Sequence, residues 1–348
     1  MILISKFLVL VIGLVINLSH LQQIIGINPA YALLFLKNRI SIYECLFLFL
    51  IFLFLIFQSF TGGYIIIDYI QLIIDLLLGF MIFNMIMFTN RKIIVSVLNN
   101  FSNLFIFLAI LSIIDYYYFG KIINGFFTFI TAWPNEGEMT ILPRLSLTFG
   151  NPNWASFTTF FFLVLSYLVN STNILKFKLL LLIIFFQSKS AIFLSLFFII
   201  FNSKNGVIKS FLFCISSIII YLNFSDSIGL EDTASFFNRF IMYENIIPLV
   251  EIYPMGLLSD FEIRSISKFS EDTLPSFLTL LYGIGWINFS MIILYTFFKS
   301  LKNKLTFSVA TCLFGFSIVY SFLTVSIVSA LGFTLLLISL NKSNRIYQ

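Results

Sequence analysis

The stretch from Tyr64 to Phe88 reads YIIIDYIQLIIDLLLGFMIFNMIMF, 25 residues with two carboxylates, Asp68 and Asp75, and no basic side chain. About 20 apolar residues in a helix cross the hydrocarbon of a bilayer, so the segment predicts a membrane span and with it the class of the fold. Asp68, Gln71 and Asp75 stand at i, i+3 and i+7 and share one helix face. Polar groups at that depth are costly against lipid, so this face is expected to look into a bundle.

The pattern recurs along the chain. Apolar runs lie near Phe7–Ile27, Ile42–Phe60, Leu98–Tyr118, Trp154–Val169, Lys178–Phe201, Ser210–Phe224, Leu274–Phe298 and Leu305–Leu340. The last is long enough for a hairpin of two helices. Lys178–Phe201 is interrupted by Gln187-Ser188-Lys189-Ser190, which predicts two short helices meeting at a polar turn. Leu21–Leu36 is a further short candidate, broken at Asn28-Pro29. The first run reads as a span rather than a signal peptide, because no small-residue cleavage site follows it.

Composition agrees: of 348 residues, 60% are hydrophobic, 47 are Phe and only 10% are charged, with a mean hydropathy of +1.04. Such a chain cannot be wrapped around a soluble core. The expectation is an all-α integral membrane protein, one polytopic domain over residues 1–348 with about 11–12 transmembrane helices.

Basic residues orient it. Lys6, Lys37, Arg39, Arg91, Lys92, Lys176, Lys178, Lys204, Lys209, Lys299, Lys302, Lys304, Lys342 and Arg345 fall in alternate connections, 14 of the 20 basic residues, and mark the cytoplasmic side. Lys121, Arg144, Lys189, Arg239, Arg264 and Lys268 are left outside. The net charge of +5 is therefore a topology signal, and no basic domain is present to hold nucleic acid. Cys45, Cys214 and Cys312 are far apart and in or beside apolar runs, so neither a disulfide nor a metal site is expected. The only histidine, His20, ends the first run and reads as a polar ring buried in the bundle or reaching the interface. P-loop and dinucleotide-type glycine motifs are absent, which argues against an ATP-driven pump or a cofactor enzyme.

Two outer loops, 119–150 and 225–273, are long enough to carry function. The second holds nine carboxylates against three basic residues, a local charge of −6, and Phe236, Phe240, Tyr243 and Ile247 in it predict a short amphipathic helix ending near Pro248. At the end of the first loop, Pro143-Arg144 is followed by Gly150-Asn151-Pro152-Asn153, in which Asn151 and Pro152 suit the N-cap and first position of a helix. Arg144, Lys189, Arg239 and Arg264 all face outward beside span ends. Guanidinium forks and helix starts together suit a diphosphate; each cation alone suits snorkelling to headgroups equally well. Asp272, just before the span at Leu274, can take a proton from a hydroxyl acceptor or serve as a helix cap. Glu136, Glu138 and Glu244 are further carboxylates of these loops.

The ordered set resembles the O-antigen polymerase and O-antigen ligase superfamily. That family shows an arginine, a glycine and a Pro-Asn pair opening a span, here Arg144, Gly150, Asn151-Pro152-Asn153 and Ala155. It has a Ser-Arg-Ser/Gly-Ala turn between two short helices, here Ser188-Lys189-Ser190-Ala191, with lysine for arginine. Its outer loop carries an arginine, an aromatic and Pro-x-Gly, here Arg239, Tyr243 and Pro254-Met255-Gly256 without the usual second glycine. A polar residue then precedes a glycine pair, here Asp272 before Gly283-Ile284-Gly285, where ligases have a histidine. Over residues 144–298 the resemblance implies a metal- and cofactor-independent glycosyltransferase of the bacterial plasma membrane, acting on its outer face on undecaprenyl-diphosphate-linked glycans. It implies catalytic roles for Asp272 and Arg239 and substrate binding by Arg144, Lys189, Asn151, Asn153 and Arg264. A chain-length regulator and a flippase of the same pathway are implied partners beside the bilayer itself. A ligase of the same superfamily remains open, as does a flippase or cation-coupled transporter built on Asp68, Gln71 and Asp75.

Overall fold

Helix starts in this chain are written by short polar side chains placed before apolar runs, and the elements follow from them. The computed structural model describes residues 66–118, 130–132, 144–149, 151–203, 243–244, 276–301, 303–319 and 326–341. Within these it is helical apart from one small antiparallel ladder. The helices are α1 (Ile66–Phe88), α2 (Arg91–Tyr118), α3 (Pro152–Leu168), α4 (Asn173–Phe185), α5 (Lys189–Asn202), α6 (Ser276–Ser300), α7 (Lys304–Val319) and α8 (Ser326–Leu340). The ladder joins β1 (Ile130–Ala132) to β2 (Arg144–Leu145), pairing Ile130 with Leu145 and Ala132 with Arg144.

Several boundaries move from the apolar runs, always toward a cap. α2 begins at Arg91 rather than Leu98, because Asn90 Oδ1 accepts the N–H of Lys92 at 2.9 Å and starts the helix in its polar part. α4 begins at Asn173 rather than Lys178, with Thr172 as N-cap. The interruption at 187–188 is present as a helix break, and Leu305–Leu340 holds two helices, α7 and α8, with residues 320–325 outside the described ones. The ladder in the first outer loop was not expected; it gives partners to backbone groups next to a buried segment. Cys45, Cys214, His20, Gln71's side chain and most of the second outer loop lie outside the described residues.

α3 is the central helix. From Ala155 to Ser166 every residue is buried, the signature of a helix that is apolar all round. Phe162 meets Phe101 of α2 at 4.3 Å between ring centroids, and Phe160 meets Phe198 of α5 at 5.5 Å and Phe316 of α7 at 4.8 Å. α1 lies parallel to α8: Thr334 Oγ1 donates to the carbonyl of Gly79 at 3.1 Å, and farther along Asn341 Nδ2 meets Met87 Sδ at 3.6 Å. α6 is kinked at Gly285, whose φ of 77° and ψ of 158° suit glycine alone.

Basic residues collect at one end. Arg91 donates to the carbonyl of Asn170, Lys176 lies over the Tyr167 ring, and Lys304 lies over the Phe201 ring. Asn202 donates to Ser308 and Thr306 to the carbonyl of Ser300, which brings the ends of α5 and α6 to the start of α7. Lys189 starts α5 at the opposite end. Large apolar side chains are exposed on α2 (Leu104, Phe107, Ile110, Ile114) and on α6 (Trp286, Met291, Leu294, Phe298). Among the described residues one helix, α2, is long and apolar enough by itself to cross a membrane.

Two glycines test the packing. A Cβ on Gly79 would stand 2.8 Å from Phe333 Cβ and 2.9 Å from the Ala330 carbonyl oxygen, atoms tied to the α8 backbone. On Gly315 it would meet only Leu194 Cδ2, at 2.7 Å, which can rotate away. Gly79→Ala is expected to cost about 1–3 kcal/mol by overpacking and Gly315→Ala less, read as loss of thermal stability of the purified chain. The reverse ranking would contradict this α1–α8 contact.

Candidate functional site

Two helix starts meet at one point. Asn151 has an extended backbone, its side-chain oxygen accepts the N–H of Asn153 at 2.8 Å, and Pro152 takes the first helical position of α3. Ser188 precedes α5 but leaves its own helix without a side-chain cap. Its hydroxyl instead donates to Asn153 Oδ1 at 3.1 Å. Each helix N-terminus carries the equivalent of roughly half a positive charge on unsatisfied N–H groups. The bond holds both of these, with exposed Lys189 as first residue of α5, in one place.

The approach to this point is buried and strained. Leu145, Ser146, Leu147 and Phe149 have no more than 1% exposure, so the chain between β2 and α3 passes inside the bundle. Leu147 sits at φ 48°, a left-handed conformation that costs a bulky residue roughly 1–3 kcal/mol. Gln187, at φ 49°, turns the chain from α4 into α5. Phe149 joins the two halves: its ring centroid is 5.3 Å from Phe105 and 6.4 Å from Phe186. Beyond Phe105, α2 continues from Ile106 to Tyr118, about 20 Å of helix at 1.5 Å per residue. The two helix starts therefore stand near the level of Phe105, well short of the end of α2.

A polar seam runs inward from them. Asn153, Ser156 and Phe160 form one stripe of α3, and Ser188, Ser195 and Phe198 one stripe of α5. Ser156 follows Asn153 by about one turn of α3, and Ser195 follows Ser188 by about two turns of α5. Both are fully buried and neither has a hydrogen-bond partner.

Of the expected site residues, Asn151, Asn153 and Lys189 come together here. Arg144 contributes its backbone to β2, opposite Ala132. Arg239, Arg264 and Asp272 lie outside the described residues, as do Glu136 and Glu138. Tyr243 and Glu244 are a described helical fragment of the second outer loop: Tyr243 donates to the carbonyl of Ile318 at 2.9 Å and its ring packs 6.0 Å from Phe277. Tyr243 is thus tied to the start of α6 and the end of α7. Asp75 is buried to 1% exposure and Asp115, near the end of α2, to 0%. Asp115 escaped the sequence reading although a lone carboxylate among Ile113, Ile114 and Tyr116 is the same signal that singles out Asp75. The role of Ser188 escaped it too, since its partner is 35 residues away.

The bridge between the helix starts can be measured directly. Asn153→Ala and Ser188→Ala should be non-additive, with a coupling energy of about 0.5–1.5 kcal/mol in a thermal-unfolding double-mutant cycle. Strict additivity would mean the bond holds nothing together. No family model, no curated protein and no solved structure matches this chain.

Proposed function

We propose that the chain is a multi-pass membrane glycosyltransferase that joins lipid-linked oligosaccharide repeat units into an O-antigen, capsular or exopolysaccharide on the outer face of a bacterial plasma membrane. The observation that carries the reading is the Ser188–Asn153 hydrogen bond, which brings two helix starts and Lys189 together at the end of the molecule opposite the basic cluster. Membrane placement is supported by the exposed apolar faces of α2 and α6 and by that segregation of charge. α3, α4 and α5 have 17, 13 and 14 residues, shorter than the about 20 of a full span. The N-termini of α3 and α5, which run from this point toward the basic end, then stand within the membrane's depth, where interrupted helices elsewhere receive anionic groups.

In this reading the growing chain is the donor. The non-reducing-end hydroxyl of an incoming undecaprenyl-diphosphate-linked unit attacks the anomeric carbon of the chain. The new C–O bond forms as the bond to the diphosphate breaks, and undecaprenyl diphosphate leaves with the bonding electron pair. Arg144, Lys189, Arg239 and Arg264 and the N–H groups after Asn151 and Ser188 stabilise the charge that develops on the leaving oxygen. Asp272 accepts the proton of the attacking hydroxyl or holds that hydroxyl in line. Cationic side chains fill the part that a metal ion plays in other glycosyl transfers.

The test is the length profile of surface polysaccharide on a gel, comparing a deletion strain with strains complemented by the intact gene, Arg239→Ala, Lys189→Ala and Asp272→Asn. Deletion should collapse the ladder to a single repeat unit on its acceptor. The intact gene should restore it, and Arg239→Ala and Asp272→Asn should not, at equal expression. Long lipid-linked polymer with no glycan on the acceptor would instead make the chain a ligase. One observation favours a second reading, a flippase or cation-coupled transporter: Asp75 is buried on α1, the helix packed along α8. Under that reading Asp75→Asn abolishes function and Arg239→Ala spares it.

A further inference from the structure

Three cations where α2 meets the start of α4 have no carboxylate opposite them among the described residues. Arg91 Nη2 donates to the carbonyl of Asn170 at 2.7 Å. Lys178 Nζ donates to Asn99 Oδ1 at 3.2 Å and to Asn103 Oδ1 at 2.7 Å. Lys92 is exposed beside Arg91. Amide oxygens order an ammonium or guanidinium without neutralising it, so two of these charges are fixed in place and, among the described residues, uncompensated. Asp115, the acid on α2, lies about 18 Å of helix beyond Asn103.

Lys178 also stands at a boundary. Up to Asn103 the exposed face of α2 is polar, with Lys92, Ser96, Asn100 and Asn103; from Leu104 onward it is apolar, with Phe107, Ile110 and Ile114. On α4, Phe177 and Ile184 are exposed along the same direction. A positive site that opens onto an apolar track has the shape of an amphiphile. A soluble anion would use the charges and leave the track bare; a zwitterionic headgroup would bring its own ammonium against three like charges.

We propose that this surface binds an anionic glycerophospholipid from the leaflet at the basic end. Its phosphate diester lies against Lys178 with Arg91 and Lys92 beyond, and its acyl chains lie along Leu104, Phe107 and Ile184. The proposal rests on the membrane placement put forward above and not on the glycan chemistry, so either can fail alone.

The full chain, purified in detergent and given equal amounts of phosphatidylglycerol and phosphatidylcholine with identical acyl chains, is read by native mass spectrometry for retained lipid. Phosphatidylglycerol is expected to be retained in preference. The preference should fall by about fivefold for each charge removed in K92Q and in R91Q/K92Q/K178Q, while K178R keeps it and phosphatidylcholine retention does not change. K92Q alters an exposed side chain and keeps the test open if the triple variant does not fold. Equal retention of both lipids, or a preference untouched by K92Q and the triple variant, overturns the proposal. Displacement of the lipid by inorganic phosphate overturns it in favour of a free-anion site. A chain that does not sediment with membranes at all removes the membrane placement beneath it.

Discussion

Everything described in this molecule depends on α3 being buried on all sides. A helix with Phe157, Phe160, Phe161 and Phe162 in consecutive turns has no polar face to give to solvent. It is stable only when other helices surround it, and α2, α4, α5, α7 and α8 do so through rings such as Phe101, Phe198 and Phe316. The N-terminus of the helix is half-buried, with Asn151 and Asn153 partly exposed. The first N–H groups there have no intrahelical acceptor, and Asn151 satisfies one of them.

The rest of the site answers the same constraint. Ser188, instead of capping α5, reaches across to Asn153, so one polar side chain serves two helix starts. The strained backbone at Leu147 is held by full burial of Leu145, Leu147 and Phe149. Its cost of roughly 1–3 kcal/mol is smaller than the stabilisation from burying three large apolar side chains, about 1.5–3 kcal/mol each. Strain that is over-determined in this way makes a rigid approach rather than a mobile one. Under the proposed function such fixed donors would suit an anionic leaving group, because donors already in position need no reorganisation when charge develops.

The two ends of the molecule are chemically unlike. At one, Arg91, Lys176, Lys178 and Lys304 are held by carbonyls, amides and aromatic faces. At the other, helix starts, one lysine and aromatic rings make a smaller positive point inside an apolar frame. Between them α2 and α6 present apolar side chains outward. Under the proposed membrane placement such a division would favour one orientation of the chain.

By itself the amino-acid order determined the helical class, the break at Gln187–Ser188, the pair of helices after Lys304 and the start of α3 at Asn151-Pro152. These are local matters: apolar run length, a cap residue and a proline act within one turn of helix, and neighbouring residues suffice to read them. Tertiary structure decided which starts meet. That Ser188 bonds to Asn153, that Arg144 enters a strand opposite Ala132, that Phe149 links α2 to the end of α4, and that Asp75 and Asp115 are buried all depend on partners dozens of residues away. Helical spacing can say which side chains share a face. Only packing says what that face touches, because close contact between helices is set by the volumes and shapes of both surfaces together.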